Sequence, residues 1–209
     1  KQQKSILLKK LNDVLAVPET KLSEIKISEQ ITEKGCSSRL SNYQLHSTVY
    51  NDNKRLKILL NPRISTDDVD QIYNPKSNSN CGFHALAIAI TENEKNCYLV
   101  KLAINNQLNK HMKIYKDWLG YNINLLKQIL EFQELPYPSL LWFLSPDCAQ
   151  LATNTFSVSI AIFNEKDEQC TMFFLLESVP IHGRNPIILH FINGNHIVYV
   201  NMKNYAKVN

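Results

Sequence analysis

Residues 77–86 read Ser-Asn-Ser-Asn-Cys-Gly-Phe-His-Ala-Leu: a polar turn, a cysteine, then at once an apolar pattern at helical spacing. This puts the Cys81 thiol in the first turn of a helix, where backbone N–H groups lack intrahelical acceptors and the positive end of the dipole favours thiolate. A thiolate is the nucleophile of cysteine-based acyl transfer. The chemistry also needs an imidazole to accept and return a proton, and donors for the developing oxyanion. Far downstream, Ile192-Asn-Gly-Asn-His196-Ile-Val-Tyr-Val200 places His196 at the start of a strand, directly after a turn. The reading therefore pairs Cys81 as nucleophile with His196 as general base. Asn78, Ser79 and Asn80 form the loop from which backbone donors would reach an oxyanion. Gly82 keeps a side chain away from an incoming peptide or, alternatively, eases helix packing.

Of the remaining histidines, His84 ranks second as a base, one helical turn after Cys81. His46, His111, His182 and His190 have no comparable context and are read as solvated or structural. The other cysteines fall within helix or strand patterns and read as small buried hydrophobes.

The elements that must position these groups follow from periodicity. Leu7, Leu8, Leu11, Val14 and Leu15 share a helix face that Pro18 ends, and the pattern weakens from 19 to 72, with a strand suggested near 44–50. Phe83, Leu86, Ala87 and Ile90 recur at i, i+3, i+4 and i+7, which predicts a helix with one buried face. Further helices are expected over 95–116 and 122–133. Another starts at Ser145-Pro146-Asp147, with Ser145 as cap and Pro146 in the first helical position. The period then changes to two. Phe156, Val158, Ile160 and Ile162 alternate with small or polar residues, and 170–176, 186–192 and 195–201 read as further strands. Asn193-Gly194 suits a two-residue type I′ turn between the last two. Helices first and antiparallel strands after predict an α+β domain, its helices packed on a small, mainly antiparallel sheet. The expected division is an N-terminal helical or irregular extension over 1–72, packed on or flanking the core, and a catalytic domain over 73–209.

Composition narrows the function classes. The chain has 209 residues, 44% hydrophobic and 20% charged, enough apolar content for a core and too little charge for a disordered chain. The net charge of +4 comes without long runs of one sign, so neither nucleic acid nor membrane is an expected partner. Five cysteines, without Cys-x-x-Cys spacing, argue against a zinc site or a disulfide framework. Reduced thiols fit an intracellular setting, cytoplasm before nucleus. No metal or cofactor is called for. No apolar run reaches membrane-spanning length and no secretory signal is visible. The sequence begins at Lys1 without methionine, which a fragment of a longer chain would explain.

Asn80-Cys81-Gly82-Phe83-His84-Ala85-Leu86 resembles the nucleophile segment of the ovarian-tumour (OTU) cysteine proteases, whose pattern is roughly Asp-Gly-Asn-Cys-Leu/Phe-Phe-Arg-Ala-Leu. Trp142, the helix from Asp147 through Leu151-Ala152, the strand 158–163 and the ending 189–199 are similar to that family's later segments, in the same order, over about 73–201. The resemblance implies a papain-like OTU fold and a deubiquitinase. Such an enzyme hydrolyses the isopeptide or peptide bond after the C-terminal glycine of ubiquitin, polyubiquitin or a ubiquitin-like modifier. Two other functions remain open: an inactive OTU-like module that binds ubiquitin or another protein, and a polyprotein-processing cysteine protease.

Three positions depart from the family. Its Asp-Gly is Asn78-Ser79 here and its Arg is His84. The Asp or Asn that many members carry two residues after the histidine is Val198. Val198 shares a strand face with His196 and cannot orient an imidazole. The third residue therefore stays open among Asn193, Asn195 and an upstream acid, Asp52, Asp67, Asp68 or Asp70, with a two-residue dyad as the remaining option.

Overall fold

The computed structural model describes residues 60–76, 80–119, 123–132, 138–164, 170–175, 185–192 and 194–203. The expected helix over 5–17 and the strand near 44–50 lie outside them.

Five helices and five strands are described. In chain order they are β1 (Val69–Tyr73), α1 (Cys81–Thr91), α2 (Cys97–Lys110), α3 (Met112–Leu119), α4 (Ile123–Glu131), α5 (Asp147–Phe156), β2 (Ile160–Asn164), β3 (Cys170–Phe173), β4 (Ile187–Ile192) and β5 (His196–Met202). Short 3-10 turns occupy Glu94–Asn96 and Ser139–Leu141. The architecture is α+β. One sheet has the order β1-β5-β4-β2-β3, antiparallel except where β2 pairs with β4. That parallel pair arises because β3 returns antiparallel along one side of β2, after which the chain crosses to its other side.

The period-2 pattern sends alternate residues to two separate cores. Ile160, Ile162, Leu189, Ile197 and Tyr199 join Phe83, Leu86, Ile90, Ile104, Leu126, Leu151 and Phe156 under the helices. Ala161, Ile188, Val198 and Val200 face the other way, against Leu60, Ile64, Val69 and Ile72. Asn61 fastens this second layer. Its N–H donates to His190 Nε2 at 2.9 Å and its side-chain amide to Asn164 O at 2.7 Å. His190, wholly buried, is thus structural, one of the two options its sequence context left.

The boundary expected between 72 and 73 falls inside β1, which is an edge strand of the sheet and pairs Ile72 with Val200 and Tyr73 with Tyr199. Residues 69–72 are therefore part of the sheet, and Leu60 and Ile64 pack against it; the region before residue 60 lies outside the described residues.

The helix after Cys81 forms as its spacing predicts, with Phe83, Leu86, Ala87 and Ile90 fully buried. Other boundaries differ for local reasons. The single helix expected over 95–116 is interrupted at His111, whose φ of −116° and ψ of 30° leave helical geometry. Ser145 does not cap α5; Pro146 holds the cap position and Asp147 is the first helical residue. The alternation read as a strand from Phe156 begins inside α5. Ser157 then turns left-handed (φ 49°), Val158 N–H closes on Thr153 O, and β2 starts only at Ile160. Between β4 and β5 the register pairs Ile192 with His196, so three residues separate the strands rather than two. Gly194 takes φ 72° there, a conformation open to glycine at no steric cost.

Candidate active site

Cys81 is the first residue of α1, and its sulfur meets the start of β5. Ile197 N–H donates to Cys81 Sγ at 3.4 Å, and the thiol lies 4.0 Å from Asn195 O. These are the residues on either side of His196, so the fold brings the thiol against the backbone of the strand opening that carries His196. The sheet explains why the contact is possible. The last register pair of β1 is Tyr73 with Tyr199, so the opening of β5 runs past the end of β1 and meets the N-terminus of α1. Both side chains are nearly enclosed, Cys81 at 7% and His196 at 8% exposure.

One ring nitrogen of His196 is met by a residue that the sequence did not single out. His196 Nε2 lies 2.6 Å from Asn74 Oδ1. An amide oxygen only accepts, so Nε2 carries the proton and Nδ1 keeps the lone pair. Asn74 follows the last paired residue of β1, which places it across from Val198 and diagonal to His196 on the same face. Val198, two residues after the histidine, packs in the second core, and the polar contact to the ring comes instead from Asn74, just past the end of β1. Burial pushes the His196 pKa down to about 4, so the ring is neutral near pH 7.

The other expected positions divide. Asn195 presents its backbone oxygen to the sulfur while the residue as a whole is exposed. Asp70 accepts from Asn201 Nδ2 at 2.9 Å, further along the β1–β5 pair and away from the ring. Asp67 and Asp68 give their carbonyls to Lys203. Asn80 is buried at the α1 start without a side-chain cap bond. Asn78, Ser79, Asn193 and Asp52 lie outside the described residues, as do His46 and His182. His84 turns from the thiol to Glu94, its Nδ1 donating to Glu94 O at 3.2 Å, and burial lowers its pKa.

Gly82 has a packing role. A Cβ there would lie 2.7 Å from Phe143 Cβ, so the ring of Phe143, which also meets Phe83 edge-on at 5.0 Å, occupies that space. Of the two readings offered by the sequence, close packing is the one with a named neighbour.

Asn74 is neither an acid nor a neighbour of His196 in sequence, so local pattern does not single it out. Its signal was positional: a polar residue ending a short strand, just before Pro75 and the nucleophile loop.

Among the described residues no group of three or more His, Cys, Asp or Glu is arranged to hold a metal ion, and no helix is long and apolar enough to cross a membrane.

No family model matches the chain, and no curated protein matches it. Among solved structures it is similar to the viral OTU domain protease from Qalyub virus, at 11% identity and a TM-score of 0.49, over 66% of this chain and 86% of that one. It is similar also to the viral OTU domain protease from Dera Ghazi Khan virus, at 13% identity and a TM-score of 0.48, over 65% of this chain and 88% of that one. A third likeness is to the viral OTU domain protease from Farallon virus, at 18% identity and a TM-score of 0.46, over 66% of this chain and 86% of that one.

Proposed function

We propose that the chain is a thiol-dependent hydrolase, with Cys81 as nucleophile, His196 as general base and Asn74 as the residue that orients the base. The observation that carries the reading is the convergence of a helix-start thiol, the opening of β5 and a ring fixed by Asn74. A neutral imidazole with its proton on Nε2 has Nδ1 available as a base. In the proposed cycle Nδ1 takes the thiol proton as sulfur attacks the scissile carbonyl. The resulting imidazolium is held by Asn74 Oδ1. It returns the proton to the departing amine, leaving a thioester on Cys81. Water, deprotonated by the same nitrogen, then attacks that thioester and releases the acid and the free thiol.

The substrate assigned is ubiquitin, polyubiquitin or a ubiquitin-like modifier, cleaved after its C-terminal glycine. This rests on the resemblance of residues 80–86 and their companion segments to the OTU proteases.

A ubiquitin-propargylamide probe tests it. The expected result is a covalent adduct that disappears in Cys81→Ala and forms far more slowly in His196→Ala. Reversible ubiquitin binding without an adduct would make the domain a binding module. Neither adduct nor binding would remove ubiquitin as the substrate.

A further inference from the structure

Glu94 lies outside the three residues assigned to the chemistry, yet it touches both parts of the chain that must stay in register. Its Oε1 accepts the backbone N–H of Lys76 at 2.6 Å. Its carbonyl accepts from Nδ1 of His84, three residues after Cys81 on α1. The turn that bears it is itself fixed: Asn93 Oδ1 accepts Lys95 N–H at 3.0 Å, and Thr91 Oγ1 accepts Asn93 N–H at 3.3 Å. Glu94 thus joins the nucleophile's helix to a point two residues after Asn74.

The link between Lys76 and Asn74 is stiff. Pro75 has its φ locked by the ring, and a residue preceding proline is confined to extended backbone. Fixing Lys76 therefore fixes the direction from which Asn74 approaches the imidazole. We propose that Glu94 is a positioning residue, which sets the placement of the Asn74 oxygen on His196 by tying Lys76 to the helix that carries Cys81. The effect on turnover rests on the hydrolase reading; the effect on the imidazole does not.

The test uses the full chain as wild type, Glu94→Ala, Glu94→Gln, Asn74→Ala and the Asn74→Ala/Glu94→Ala pair. Imidazole nitrogen NMR should show His196 of the wild type as the Nε2–H tautomer. Glu94→Ala should give a mixture of tautomers, as Asn74→Ala does, and Glu94→Gln, which keeps an oxygen acceptor for Lys76 N–H, should restore the single tautomer. With a ubiquitin substrate, Glu94→Ala should lower kcat on the order of tenfold with little change in KM, and should add nothing to Asn74→Ala. A His196 spectrum unchanged by Glu94→Ala would overturn the proposal, as would independent, multiplying losses in the pair. If the wild type leaves ubiquitin substrates untouched, the hydrolase reading fails by itself and the tautomer measurement still decides the role of Glu94.

Discussion

Asn74 and His196, 122 residues apart in sequence, meet at 2.6 Å between a side-chain oxygen and a ring nitrogen. The pairing depends on the antiparallel register of β1 against β5, which carries Asn74 past the last paired position to the face shared by His196 and Val198. A neutral amide fixes the ring without placing a charge on it. Burial leaves the imidazole a weak base that stays unprotonated well into acid, with its pKa near 4.

Asn74→Ala should therefore reduce kcat on the order of a hundredfold, because the ring loses the contact that selects its tautomer. Asn74→Asp makes a sharper test. A carboxylate against the ring favours imidazolium and raises the His196 pKa, so the acid limb of kcat/KM should move from near pH 4 toward neutrality. Superimposable pH profiles for wild type and Asn74→Asp would show that this contact does not govern the protonation of the base.

The same depression makes stability depend on pH. The folded pKa of about 4 lies below the ordinary value of 6.5, so between those values the unfolded chain binds the extra proton. The contribution is complete above pH 6.5 and is lost as pH falls toward 4, up to about 3 kcal/mol. His84, also lowered by burial, acts in the same sense. Urea denaturation at pH 7 and pH 4.5 should show the midpoint falling with acid, and less steeply in His196→Gln. Equal slopes would mean that the ring is not buried in its neutral form.

Gly82 supplies a prediction about packing. Alanine would ordinarily strengthen a helix, but here its Cβ would press on Phe143, with Cβ atoms 2.7 Å apart. Gly82→Ala should destabilise the domain by about 1–3 kcal/mol, and by less in a Phe143→Ala background, since the two side chains contest one volume. A thermal melt in which Gly82→Ala is as stable as wild type would show that the site relaxes freely.

What the sequence disclosed and what it withheld follow from the range of each interaction. The Cys81 helix was legible because Phe83, Leu86, Ala87 and Ile90 repeat within a few turns, and a thiol at a helix start has a local electrostatic meaning. His196 was legible as the opening of a strand. Asn74 was not, since its role exists only once β1 and β5 are paired in one register. Phe156 misled for a related reason: its alternation with Val158 spans a helix end, and only the left-handed Ser157 reveals the break. Nor could Gly82 disclose its neighbour, because Phe143 arrives from a segment beyond three further helices.

Three of the four described cysteines, Cys81, Cys97 and Cys148, should separate by reactivity. Burial pushes the thiols of Cys97 and Cys148 up to about 12. At about pH 8 roughly one molecule in 10⁴ then carries thiolate at either position, and the thiolate is the form that alkylates. Cys97 also opens a helix and is as enclosed as Cys81; what Cys81 has in addition is the Ile197 N–H donor at its sulfur, which favours the reactive anion. Brief treatment of the native chain with iodoacetamide, followed by peptide mapping, should place the label on Cys81 well before Cys97 or Cys148. Those two should react only after denaturant opens the core. His196→Ala should slow labelling of Cys81 and leave the buried pair unchanged, because the imidazole that would accept the Cys81 proton is gone. Labelling of Cys148 at the rate of Cys81 in the folded chain would contradict both the packing of α5 and the assignment of a distinct nucleophile.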